Sequence, residues 1–157
     1  WDQLQIRRGL LALARAHELG GERGFYALQA AIVACHAKAA TPDETEWPKI
    51  AGLYAELAAL VRSPIIELNR AVAVGMAEGP VAALAIVDGL AHVSALKNYH
   101  LLESVRGDLL RKLGRFAQAR AAFEIAARLA ANKREQELLK RRIAEAADAE
   151  NGSLISE

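Results

Sequence analysis

A single cysteine, Cys35, rules out an internal disulfide and suits a chain kept in a reducing cytoplasm. Aromatic residues make up only 5% of the 157 positions, and runs of β-branched residues are few. Charge of one sign is lacking too. The formal net charge is +1, which supplies no overall attraction to nucleic acid or to a membrane. No apolar run approaches the ~20 residues that span a bilayer. The chain opens at Trp1, with no basic leader or signal-type apolar core and no initiator methionine. That opening is expected of a piece of a longer protein. Catalytic signatures are missing as well: no nucleophile elbow, no phosphate-binding glycine loop, no HExxH. Cys35 and His36 are adjacent on a helix and point about 100° apart, and the other histidines show no ligand spacing. Neither an enzyme, a cofactor nor a metal site is expected.

Alanine and leucine dominate what remains, and 53% of residues are hydrophobic. This is the composition of closely packed helices. The spacing predicts about eight of them. The first covers about 3–19 and ends at Gly20-Gly21. The second covers about 25–39, with Phe25, Leu28, Ile32 and Cys35 on one stripe. Asp43 and Glu46 have the spacing of a capping box for the third, which carries Trp47, Ile50, Tyr54, Leu57 and Leu60 three or four apart. Ser63-Pro64 opens a fourth that reaches about Ala77, and Pro80 opens a fifth that reaches about Leu90. Residues 91–97 read as a loop. Helices at about 98–113 and 115–130 follow. Asn132 and Glu135 make a second capping-box pattern before a last helix to about Ala149, with Leu138, Leu139 and Ile143 inward.

The segment 100–133 carries the strongest pattern. Small residues stand at Gly107, Gly114, Ala119 and Ala126, and large ones at Leu110, Phe116 and Phe123. Small residues let two helices approach, and large ones fill the groove between them. The segment resembles a tetratricopeptide (TPR) repeat, with its period of about 34 residues. Gly79-Pro80 lies close to one period upstream of Gly114. The expected fold is all-α: a TPR-like, right-handed array of about four antiparallel helical hairpins, one domain over 1–150. Residues 151–157 are expected to fray. Such arrays are scaffolds and recognition surfaces.

A wider resemblance covers nearly all of residues 1–150. The strings FYALQAAIVACHAKA, TEWPKIAGLYAEL, SPIIELNRAVAVGMAEGPVAAL and YHLLESVRGDLLRKLGR occur here in a fixed order. Together they resemble the C-terminal extension of a group of extracytoplasmic-function (ECF) sigma factors of RNA polymerase. The sigma domains, which precede such an extension, are absent from this chain. The resemblance implies a cytoplasmic regulatory appendage. Its partners would be the sigma domains of the same polypeptide, the polymerase core or a regulatory protein. No specific DNA binding by this fragment and no membrane contact are implied. A stand-alone TPR adaptor for a protein's C-terminus and a small helical ligand-binding domain are the competing readings.

Candidate contact residues follow from their positions. Tyr26, Gln29 and His36 share one helix face. They serve either a ligand contact or interhelical hydrogen bonds. Asn69 and Arg70 lie on a helix expected to line the groove, where they suit a peptide carboxylate or ordinary helix-surface roles. Asp108 and Arg111 have the spacing of an i,i+3 surface pair. Trp1 is placed to dock on the first helix or on a preceding domain. Lys133, Arg134, Lys140, Arg141 and Arg142 interleave with Glu135, Glu137 and Glu145, the pattern of a solvated cap.

Overall fold

The computed structural model describes residues 23–155. The expected first helix and Trp1 lie outside the described residues. Among those described there are seven α-helices, two 3-10 turns and no strand. The helices are α1 (Arg23–Lys38), α2 (Trp47–Leu60), α3 (Pro64–Glu78), α4 (Pro80–Gly89), α5 (His100–Lys112), α6 (Phe116–Leu129) and α7 (Lys133–Ile155). Where the sequence reading expects one domain, the chain divides into two compact units, the break falling between Ala77 and Glu78.

In the first unit, α1 and α2 form an antiparallel hairpin. Gly24 at the start of α1 lies beside Leu60 at the end of α2, and His36 near the end of α1 meets Trp47 at the start of α2. Phe25, Ile32 and Cys35 of α1 pack with Ile50, Tyr54 and Leu57 of α2 and with Ile66 and Ala73 of α3. Spacings of three, four and seven put each set on one stripe. Burying each of the large side chains contributes about 1.5–3 kcal/mol. The Asp43–Glu46 capping box does not form. Residues Pro42–Glu44 make a 3-10 turn, and Glu44 Oε2 accepts the Ala40 N–H at 3.0 Å. The N-cap of α2 is Glu46, without a side-chain cap. Proline explains the shift. A helix starting at Glu44 would carry Pro48 in its interior, against the carbonyl four residues back.

The second unit is ordered by two glycines. Gly79 (φ 108°) and Gly114 (φ 75°) adopt the left-handed region that a side chain resists. Gly114 N–H bonds to Arg111 O and Arg115 N–H to Leu110 O, which is the Schellman ending of α5. Beyond it α6 turns back. Ala119, Ala122 and Ala126 of α6 are fully buried, so α6 sits tightly between α5 and α7. Phe123 lies directly against Gly107, where a Cβ would come within 2.6 Å of its ring. Pairs between α5 and α7 set their direction: His100 with Glu135 near the two starts, Asp108 with Arg142 further on. The two helices run parallel, starting at His100 and at Lys133, and α6 runs against both.

Four expectations change in α7. The segment expected to fray is helical through Ile155, and Ser153 Oγ donates to the Glu150 carbonyl. Leu138 is exposed, while Leu139 and Ala146, seven apart, are buried. Arg142 falls on that same stripe and points inward, where Asp108 receives it. Of the second capping box, the Asn132 half is present, its Oδ1 accepting the Arg134 N–H at 2.8 Å. Glu135 turns to His100 Nε2, 3.0 Å away.

Candidate interaction surfaces

Helix α1 presents Tyr26, Gln29 and His36 at spacings of three and seven. Gln29 is buried, and Tyr26 packs edge-on against Phe25. His36 meets the Trp47 ring edge-on, with centroids 5.6 Å apart. The hydrogen bonds expected of His36 are not made among the described residues. Both its ring nitrogens are shielded from solvent and lack a partner, as do Trp47 Nε1 and the Tyr54 hydroxyl. Burial holds the His36 pKa below its usual value and pushes the Tyr54 phenol well up. His36 is thus a neutral ring in an apolar setting.

Asn69 and Arg70 do not act as a pair of donors facing one groove. Asn69 lies three residues after Ile66 and four before Ala73, on the stripe those residues bury, and it is buried with them. Arg70, one residue on, points about 100° away. Its Nε and Nη2 donate to Glu67 Oε1 and Oε2, both at 3.1 Å, so the guanidinium fork closes on a carboxylate of its own helix. The pair remains about a third exposed, and Glu78 at the end of α3 is exposed as well.

Asp108 and Arg111 belong to the second unit. Arg111 Nη2 stands 3.8 Å from Asp108 Oδ1, while Arg142 Nη1 donates to Asp108 Oδ2 at 2.8 Å. The Arg142 guanidinium also sits 6.0 Å from the Phe123 ring centre, a cation–π distance. Asp108 is therefore a fastener between α5 and α7.

The second unit also holds a cleft of about 370 Å³, bounded by the α4–α5 connection, α5 and the end of α6. Leu102, Ile125 and Leu129 supply apolar wall, and Tyr99 and Glu103 supply polar groups. Glu103 Oε2 is shielded from solvent and without a hydrogen-bond partner. Burial raises the Glu103 pKa, Arg106 opposes the rise and Asp88 adds to it. Burial and then Glu135 raise that of Tyr99. Nothing in the local sequence marks this cleft except the length of the connection. Among the described residues no group of His, Cys, Asp and Glu is placed to hold a metal ion, and no helix is long and apolar enough to cross a membrane.

The chain is 43% identical over 137 residues to an uncharacterized protein of Rhizobium meliloti (strain 1021). The match covers 86% of this chain and 31% of that protein, so the chain spans about a third of the length of the curated relative it matches. No family model and no solved structure matches the chain.

Proposed function

We propose that this chain is the C-terminal, TPR-like extension of an ECF-type RNA polymerase sigma factor, and that it works by protein–protein contact. The observation that carries the repeat half of this reading is the Asp108–Arg142 pair, 34 residues apart and bridging parallel helices. Stacking equivalent helices one period apart is how a TPR array buries its faces. The sigma half rests on the four alanine-rich strings in their fixed order. The length of the Rhizobium relative is consistent with it, since more than two thirds of that protein lies outside the match.

On this reading the extension touches no promoter. It contacts the sigma domains of its own polypeptide, the polymerase core or a regulatory protein in the cytoplasm, and it has no catalytic role. The array would comprise about four right-handed hairpins. The Glu67–Arg70 pair is the favoured contact on α3, because a bidentate pair about a third exposed can be exchanged for a partner's carboxylate. Asn69 is buried on a different face of the same helix and is not part of this contact.

The test is transcription in vitro from the parent protein's own promoter, with purified core polymerase. Full-length parent is compared with a truncation lacking this chain and with Arg70→Ala. The expected result is altered transcription in both, with an unchanged melting temperature for Arg70→Ala. A reading frame upstream of the Trp1 codon that encodes no sigma domains overturns the proposal outright.

A further inference from the structure

The connection that walls the cleft is longer than a plain array of hairpins needs. Gly79 alone joins α3 to α4, and residues 113–115 and 130–132 join the later helices, whereas residues 90–99 lie between α4 and α5. This one is built: Val93, Leu96, Lys97 and Tyr99 donate backbone hydrogen bonds to Leu90, Val93, Ser94 and Leu96, and Leu96 is buried as its anchor. Its inner side faces Leu102 and Glu103 of α5 and Ile125 and Leu129 of α6.

Glu103 is the odd member of this wall. A carboxylate oxygen removed from water ordinarily has a donor. The nearby guanidinium, Arg106, gives its Nε to Asp88 at 3.1 Å, and among the described residues no ion pair or hydrogen bond reaches Glu103. Lys97 lines the same cleft without pairing to it. Lys97 and His92 share the lining, so it is the unpartnered carboxylate and not the net charge of the cleft that argues for a cation; a neutral apolar ligand would leave that carboxylate unmatched. The volume lies within the range of small-ligand sites.

We infer that this cleft binds an organic cation, a primary ammonium or guanidinium on an aliphatic stem, with the cation on Glu103 and the stem against Leu102, Ile125 and Leu129. The same chemistry is offered by a free small molecule and by an arginine side chain of a partner. The inference stands independently of the sigma-factor proposal, since it uses only the second unit's own walls.

The experiment is a backbone-amide NMR titration of the chain with agmatine, with acetyl-Gly-Arg-Gly-amide and with hexanoate. Saturable shifts at Tyr99, Leu102, Glu103 and Leu129 are expected with agmatine if the site takes free cations, and with the peptide alone if it takes a partner's side chain. Glu103→Gln, with its helical circular dichroism retained, should weaken that binding by about tenfold or more, as loss of a charge-assisted hydrogen bond does. Equal affinity in Glu103→Gln, no saturable shift from either cation, or a response to hexanoate instead overturns the assignment.

Discussion

Arg142 and Asp108 meet at 2.8 Å although 34 residues separate them. The same guanidinium lies over the Phe123 ring, and that ring fills the space left by Gly107. One line of contacts therefore joins α7, α6 and α5 at mid-height. Both charged groups are about a quarter exposed, so the pair is neither deeply buried nor freely solvated. A double-mutant cycle with Asp108→Ala and Arg142→Ala, followed by urea denaturation, should give a coupling of about 1 kcal/mol. A coupling of zero would reduce the pair to a surface accident.

Two glycines should respond oppositely to the same change. At Gly107 an added Cβ meets Phe123 Cε1 at 2.6 Å, and the ring is fully buried. Gly107→Ala is expected to destabilise by about 1–3 kcal/mol through overpacking. At Gly52, exposed within α2, an added Cβ meets nothing within 4 Å. Gly52→Ala should stabilise by about 0.5–1 kcal/mol, from helix propensity alone. Denaturation midpoints of the two variants check both signs.

His36 should make the protein sensitive to acid. Burial holds its folded pKa below 6.5. As pH falls below that value, the unfolded chain takes up a proton that the folded chain refuses. Stability is full above about pH 6.5 and declines on acidification toward the folded pKa. His36→Leu is expected to flatten this part of the curve, measured as the difference in urea midpoint between pH 8 and pH 5.5. An identical slope in the variant would assign the loss to other groups.

Glu103 should act with the opposite sign. Burial first, and Asp88 after it, raise its folded pKa above 4.5, against the lowering effect of Arg106. Its contribution to stability is full below about pH 4.5 and is lost as pH rises through the folded value. The ionised carboxylate thus weighs against the fold at neutral pH. Glu103→Gln is expected to raise the denaturation midpoint at pH 7 and to leave it nearly unchanged at pH 4. A lower midpoint at pH 7 would mean that the carboxylate is paired in solution.

Helix period, glycine punctuation and small-residue spacing lie along the chain, and for that reason much of this fold was legible there. The stripes Phe25–Ile32 and Ile50–Tyr54–Leu57, the openings at Pro64 and Pro80, and the approach of a helix to Gly107 all follow from local spacing and elementary sterics. The capping box at Asp43 misled because a cap pattern says nothing of the proline that shifts the helix start. Arg142 read as an outward residue because a charge on a core stripe makes sense only once Asp108 stands opposite. Asn69 and Arg70 are neighbours in sequence, and helix geometry turned one into the core and the other onto Glu67. The cleft was beyond the reach of spacing altogether: Tyr99, Glu103, Ile125 and Leu129 become neighbours only when α6 folds back on α5 beneath the long connection. What the sequence by itself determined is the apolar stripe along most helices, since a 3.6-residue period is a local property, while at Leu138 and Arg142 it assigned the wrong face. Which charges are paired, which carboxylate is left without a donor and where a cavity opens were decided by the tertiary structure, because each depends on groups brought together from distant parts of the chain.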